Sequence, residues 1–107
     1  MKKAIVIGSG FGGLAIACRL KKHNFSVKLL EKQSDLGGRA RTFTHNGFKY
    51  DAGPTVITAP YLIDELFQMH GKDSKDYYNL IKVSPFYRFI FSDKSHFDYG
   101  DNLLTML

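Results

Sequence analysis

The sequence predicts an α/β fold, with a β-α-β unit at the front and a mixed α+β segment behind it. Three observations carry this. An apolar run of Ala4, Ile5, Val6 and Ile7 leads into a glycine cluster from Gly8 to Gly13. Apolar residues then recur at helical spacing through Leu14, Ala15, Ala17, Cys18 and Leu20. A second apolar strand pattern at residues 26–31 closes the unit within the roughly 30 residues that β-α-β takes.

The first strand covers residues 2–7. Its continuous, β-branched apolar run reads as a strand buried on both faces. The helix behind the glycines carries Arg19, Lys21 and Lys22 on its outer face and stops at His23-Asn24. Asparagine tolerates the left-handed conformation at a helix end, and the lysines suit the dipole there. Thr42-Phe43-Thr44 and Phe48-Lys49-Tyr50 flank Asn46-Gly47, the strongest short hairpin signal. Residues 60–70 read as a helix, with Pro60 in the first turn and Gly71 at the end. Leu62, Ile63, Leu66, Phe67 and Met69 supply its buried face. Strands are expected over 78–83, 86–91 and 95–99, the last two joined by a turn at Ser92-Asp93-Lys94. Asp101 is a good N-cap for a helix over 102–107. That helix stops about two turns in, and a doubly wound sheet takes about five parallel strands, where only two are candidates here. The expectation is the front of a larger, two-domain protein.

Composition narrows the function classes. With 107 residues the chain suffices for one small domain. Hydrophobic and charged shares of 44% and 23% exclude disordered and collagen-like classes. A single cysteine excludes a disulfide framework and a cysteine-based zinc site. The apolar stretch over 4–18 is interrupted by four glycines and is too short to span a membrane. A net charge of +5 suits an anionic partner without choosing among phosphate, nucleic acid and acidic membrane. Lys2-Lys3 and Ala15-Ile16-Ala17-Cys18 imitate a lipoprotein signal peptide. Four glycines in six residues make a poor apolar helix, so no signal peptide is expected and Cys18 reads as a small buried helix residue.

Gly8-Ser9-Gly10-Phe11-Gly12-Gly13 fits G-x-G-x-x-G, the phosphate-binding turn of a Rossmann-like unit. Gly8 permits the turn out of the strand, Gly10 lets the backbone approach a pyrophosphate, and Gly13 lets helix and sheet pack closely. The helix N-terminus offers its N–H groups to the phosphates. Alone the hexapeptide is weak. Its context of strand, helix and second strand strengthens it, and so does Glu31, 21 residues after Gly10. A carboxylate there accepts hydrogen bonds from ribose hydroxyls and repels a 2′-phosphate, so an adenine dinucleotide other than NADP is expected.

Glu31 is followed by Lys32-Gln33-Ser34-Asp35-Leu36-Gly37-Gly38-Arg39. This resembles the second signature of the flavoprotein group containing amine oxidases and carotenoid desaturases. Two glycines let N–H groups reach an anion, and a guanidinium pairs with phosphate bidentately. Residues 46–58, with Asp51-Ala52-Gly53-Pro54 at their centre, resemble the matching stretch of bacterial-type phytoene desaturases, as do Pro85-Phe86-Tyr87-Arg88 and Phe97-Asp98-Tyr99. The likeness runs from Lys3 to about Asn102. It implies FAD as cofactor, held by Gly8, Gly10, Phe11, Gly12, Gly13, Glu31, Lys32, Gly38 and Arg39. It implies that residues 1–58 are the front of an FAD-binding domain and 59–107 the start of a substrate-binding region. The implied activity is hydrogen removal from a polyene precursor such as phytoene or diapophytoene, in carotenoid biosynthesis. The implied setting is the bacterial cytoplasm, peripheral to the membrane, with no nucleic acid partner; oligomeric state stays open.

Carotenoid isomerases, retinol saturase-like enzymes and amine oxidases share the first two motifs, and a truncated FAD-binding remnant without turnover is a further reading. No catalytic base or nucleophile stands out. His23, His45, His70 and His96 are more than twenty residues apart, which is no metal-ligand spacing. Asp51 reads as support for the turn before Gly53-Pro54, and Arg88 sits in an aromatic strand that reads as core or as a tunnel wall.

Overall fold

The computed structural model describes residues 1–54 and 56–100. The chain divides into two compact units, Met1–Tyr77 and a second that begins at Tyr78.

In that unit β1 (Lys3–Ile7) and β2 (Ser26–Leu30) pair in parallel, from Lys3 opposite Ser26 to Ile7 opposite Leu30. α1 (Phe11–Lys22) makes the crossover and packs on both strands. Side chains alternate across a sheet. Ala4, Val6, Val27 and Leu29 form the more buried set, and Val6 keeps only 9% of its surface. Ile5, Ile7 and Leu30 point the other way and are exposed. Burial of β1 on both faces was the sequence expectation, and the structure corrects it. Among the described residues this two-stranded sheet has one helix on it, and one helix covers one face.

α1 closes through Asn24, whose φ of 60° is left-handed. Phe25 N–H bonds to the Leu20 carbonyl and Asn24 N–H to that of Lys21, which satisfies carbonyls the helix end leaves open. β3 (Thr42–His45) and β4 (Phe48–Asp51) form the expected hairpin. Asn46 and Gly47 both take positive φ, as a type I′ turn requires, and Phe43 stacks on Tyr50 with centroids 5.4 Å apart.

α2 (Pro60–Gln68) is two residues shorter than its pattern and closes at Gly71 with the same pair of bonds as α1. It is tied to α1 at two points. Arg19 pairs with Glu65 through two hydrogen bonds of 3.0 and 2.9 Å, and His70 Nε2 donates to the Cys18 carbonyl at 3.0 Å. Beyond it, Ser74 donates to Asp64 and the Tyr77 ring lies 4.9 Å from that of Phe67. These ties keep the segment after residue 58 with the β-α-β unit.

The second unit holds the antiparallel pair β5 (Tyr87–Ile90) and β6 (His96–Tyr99). Arg88 stands directly opposite Asp98 and binds it through two bonds of 2.6 and 2.7 Å. Phe89 and Phe97 face each other on the other side, 6.1 Å apart. Asp93 accepts from the Ser95 N–H and hydroxyl, which fixes the connecting turn. Residues 78–83 are not a strand, against expectation. A β-rich composition makes a strand only where a neighbour supplies a hydrogen-bonding edge, and no described strand pairs with this segment. The helix expected at 102–107, with Asp101 as its cap, lies outside the described residues.

Candidate functional site

The site begins where β1 ends. Gly8 turns out of the strand with φ of 94°, and its N–H bonds to the Leu30 carbonyl at 2.7 Å, so both strand tips stay paired to the turn. Gly10 caps α1 without a side-chain bond, and the first turn of the helix holds no acidic residue. The first bond within the helix runs from Leu14 N–H to the Gly10 carbonyl. The N–H groups of Phe11, Gly12 and Gly13 have no partner inside the helix by geometry, and the positive end of its dipole lies there. Such an end receives an anion.

Gly13 has another task. A Cβ on it would stand 2.0 Å from the Gly8 carbonyl oxygen, so glycine is what lets α1 sit against the turn.

Two further passes of the chain complete the site. Gly37 N–H donates to the Ser9 carbonyl at 2.9 Å, and Gly37 bridges to Gly10 in parallel. Gly38 follows with φ of 60°, and a Cβ there would lie 3.0 Å from the Gly10 Cα. The loop after β4 then closes on the Gly38–Ala40 turn. A Cβ on Gly53 would fall 2.1 Å from the Arg39 carbonyl oxygen, and Ala52 N–H bonds to the Arg41 carbonyl. Between the three passes lies a groove of about 570 Å³, walled by Gly10, Phe11, Gly12, Gly37, Arg39 and the 52–54 loop. Among the described residues, Arg39 is the only charged one in its lining.

A Cβ on Gly10 or Gly12 meets nothing within 4 Å. Packing of the chain on itself does not call for glycine at either position. What an added side chain would fill is the groove. Open N–H groups, a helix dipole and a lining that includes the cationic residue Arg39 fit the diphosphate of a dinucleotide.

Glu31 lies one residue past β2, which ends at Leu30 rather than at Glu31. Its Oε2 accepts the Ser9 hydroxyl at 2.6 Å and the Ser9 N–H at 2.7 Å, while Oε1 accepts the Gln33 N–H at 3.0 Å. These bonds, that of the Ser9 hydroxyl foremost, hold the carboxyl well below the usual carboxylate range, at about 2. It is therefore ionised throughout the neutral range, as acceptance from ribose hydroxyls and repulsion of a 2′-phosphate both demand.

Of the residues expected to hold a cofactor, Gly10, Phe11, Gly12 and Arg39 line the groove. Gly8, Gly13 and Gly38 shape its walls from behind, and Glu31 stands beside the glycine turn through Ser9. Lys32 is exposed and outside the lining. The sequence reading passed over Ser9 and Gly53. Ser9 is fully buried, at 0% exposure. A small hydroxyl residue at an unspecified place in the motif, 22 positions before an acid, was the available signal.

Residues 6–71 match the family described as the NAD(P)-binding Rossmann-like domain. Over 107 residues the chain is 50% identical to the phytoene desaturase (lycopene-forming) of Pantoea ananas, covering 100% of this chain and 22% of that protein. It is 45% identical over 102 residues to the enzyme of the same name from Pseudescherichia vulneris, covering 95% of this chain and 21% of the relative. It is 41% identical over 104 residues to a 4,4'-diapolycopene oxygenase of Methylomonas sp, covering 97% and 21%. The chain spans about a fifth of the length of these relatives. The glycine turn, Glu31, Arg39 and Gly53 all fall within the span that the family match covers, and the chain belongs to the family of NAD(P)-binding Rossmann-like domains.

Proposed function

We propose that the full-length protein is an FAD-dependent desaturase of a carotenoid precursor such as phytoene or diapophytoene. The observation that carries this reading is the groove at Gly10 and Gly12, with ionised Glu31 beside it, in a chain 50% identical to a phytoene desaturase. When bound, the flavin supplies the hydride acceptor. The chain described here supplies the hold. The N–H groups at the start of α1 and the Arg39 guanidinium take the diphosphate, and the Glu31 carboxylate takes the ribose diol. Glycines at positions 10 and 12 keep side chains out of the space that the diphosphate fills.

The 41% identical relative named as an oxygenase favours a second reading, in which the substrate gains oxygen. Mass spectrometry of products from full-length protein, FAD and phytoene separates the two. Loss of two hydrogens per step supports the desaturase, and addition of an oxygen atom supports the alternative. A purified full-length protein that releases no flavin on denaturation overturns both.

The substrate proposed is a polyene almost insoluble in water, so the enzyme has to collect it from a lipid phase. Among the described residues no helix is long and apolar enough to cross a membrane. We infer peripheral, charge-assisted attachment, supported by the net charge of +5. Flotation with anionic liposomes at low salt, lost at high salt, is the expected result. Recovery in the soluble fraction at both salts with full activity refutes it.

A further inference from the structure

We propose that the Ser9 hydroxyl is a positioning group for Glu31, setting the carboxylate in the one orientation that meets the ribose diol of the dinucleotide. The inference deepens the flavin reading above and takes the identity of the ligand from it; the contact itself belongs to the chain. Ser9 is the most buried side chain described, and its small group has one polar partner, Glu31 Oε2, at 2.6 Å. Its N–H reaches the same oxygen at 2.7 Å. Oε1 is turned to the Gln33 N–H at 3.0 Å. The carboxylate is thus gripped from two directions, by the turn after β1 and by the segment after β2. A free Glu side chain rotates about three bonds; this one is fixed at both oxygens. The Ser9 hydroxyl and N–H occupy both lone pairs of Oε2, and Oε1, which accepts from Gln33, is the oxygen with a pair left for a ligand's hydroxyl.

The position of Ser9 matters as much as its hydroxyl. It lies between Gly8 and Gly10, so the residue that holds the ribose acceptor is part of the loop that receives the phosphates. Any shift of the loop carries Glu31 with it, and the distance between the two binding elements stays constant. The groups that face the carboxylate are all hydrogen-bond donors: Ser9 from the β1–α1 turn, and the Gln33 and Lys32 N–H groups that follow β2.

The test is a double-substitution cycle in the full-length protein with Ser9→Ala, Glu31→Gln and both together. FAD dissociation constants are measured by quenching of flavin fluorescence on titration of apoprotein. Ser9→Ala alone is expected to weaken FAD about tenfold or more, as loss of a hydrogen bond to a charged group does. If Ser9 acts through Glu31, the double variant binds no worse than Glu31→Gln. Additive penalties, or Ser9→Ala with wild-type affinity, overturn the inference.

A second arm uses apoprotein without FAD and follows the thermal midpoint against pH. Stability owed to a depressed carboxyl is complete above its unfolded value of about 4.3 and drains away as pH falls toward the folded one. The wild-type lead over Ser9→Ala should therefore be constant above about pH 5 and shrink below it. A lead that ignores pH overturns the inference on this arm as well. A wild-type protein that takes up no FAD refutes the flavin reading, while the apoprotein arm still decides whether Ser9 holds Glu31.

Discussion

Replacing Gly13 by alanine should destabilise the first unit, and replacing its neighbour Gly12 should not. Both residues lie in the first turn of α1, so both changes bring the same gain in helix propensity, up to about 1 kcal/mol. The surroundings differ. The new methyl at Gly13 would stand 2.0 Å from the Gly8 carbonyl oxygen and 3.0 Å from its carbon, and both are backbone atoms of a turn pinned to β2. Ordinary contact begins near 3.4 Å, so helix and turn must part by about 1 Å or more. At Gly12 the methyl meets nothing within 4 Å. The propensity gain cancels between the two variants, and their difference isolates the clash at roughly 1–3 kcal/mol, the usual scale of overpacking. Urea unfolding of the two full-length apoproteins measures it as a separation of midpoints at unchanged slope. Gly12→Ala should in addition lose flavin affinity, because its methyl enters the groove. A Gly13→Ala protein that unfolds at or above the Gly12→Ala midpoint refutes the packing argument.

Other substitutions sort the site in the same way. Gly10 is extended, with φ of −66° and ψ of 173°, a conformation open to any residue. Gly10→Val should therefore lower the urea-unfolding free energy by no more than about 1–2 kcal/mol, the scale of a lost N-cap preference, and abolish flavin retention through gel filtration. Gly53→Ala puts a methyl 2.1 Å from the Arg39 carbonyl and should lower both stability and flavin affinity, read by the same two assays. The hydrogen-bonded Arg19 guanidinium holds the Glu65 carboxyl below its usual range. Its contribution is present above the unfolded value near 4.3 and is lost as pH falls through the depressed one. Arg19→Ala should flatten that part of the stability–pH curve, with a small effect because both side chains are about half exposed.

What the sequence made legible follows from how local each signal is. The crossover helix, the hairpin at Asn46-Gly47 and the stops at Asn24 and Gly71 were readable because a few adjacent residues decide them. The strand expected over 78–83 was not there, since pairing depends on a neighbour that the segment itself does not encode. The exposure of Ile5 and Ile7 eluded the pattern for a related reason. A continuous apolar run says what a strand tolerates on its faces, and not what covers them. In the site, Gly8, Gly10 and Glu31 were found through spacing. The motif also gave Gly13 its packing role, and the structure names the Gly8 carbonyl oxygen as its contact; the role of Gly53 became plain only when an imagined Cβ met the Arg39 oxygen. Ser9 escaped because a motif names its fixed letters, and the contact that matters here sits on a variable one.

The walls of the groove are mostly backbone: Gly10, Gly12, Gly37 and Gly53 contribute no rotatable side chain. A binding site lined by long side chains has to still them when its ligand arrives, at about 0.5–1.5 kcal/mol for each. This one has almost none to still apart from Arg39 and Phe11. The disorder that glycine carries was surrendered earlier, when the chain folded and the three passes locked onto one another through main-chain contacts. Occupancy of the groove should thus bring little further loss of chain entropy. The cradle is a feature of the folded state before any phosphate reaches it.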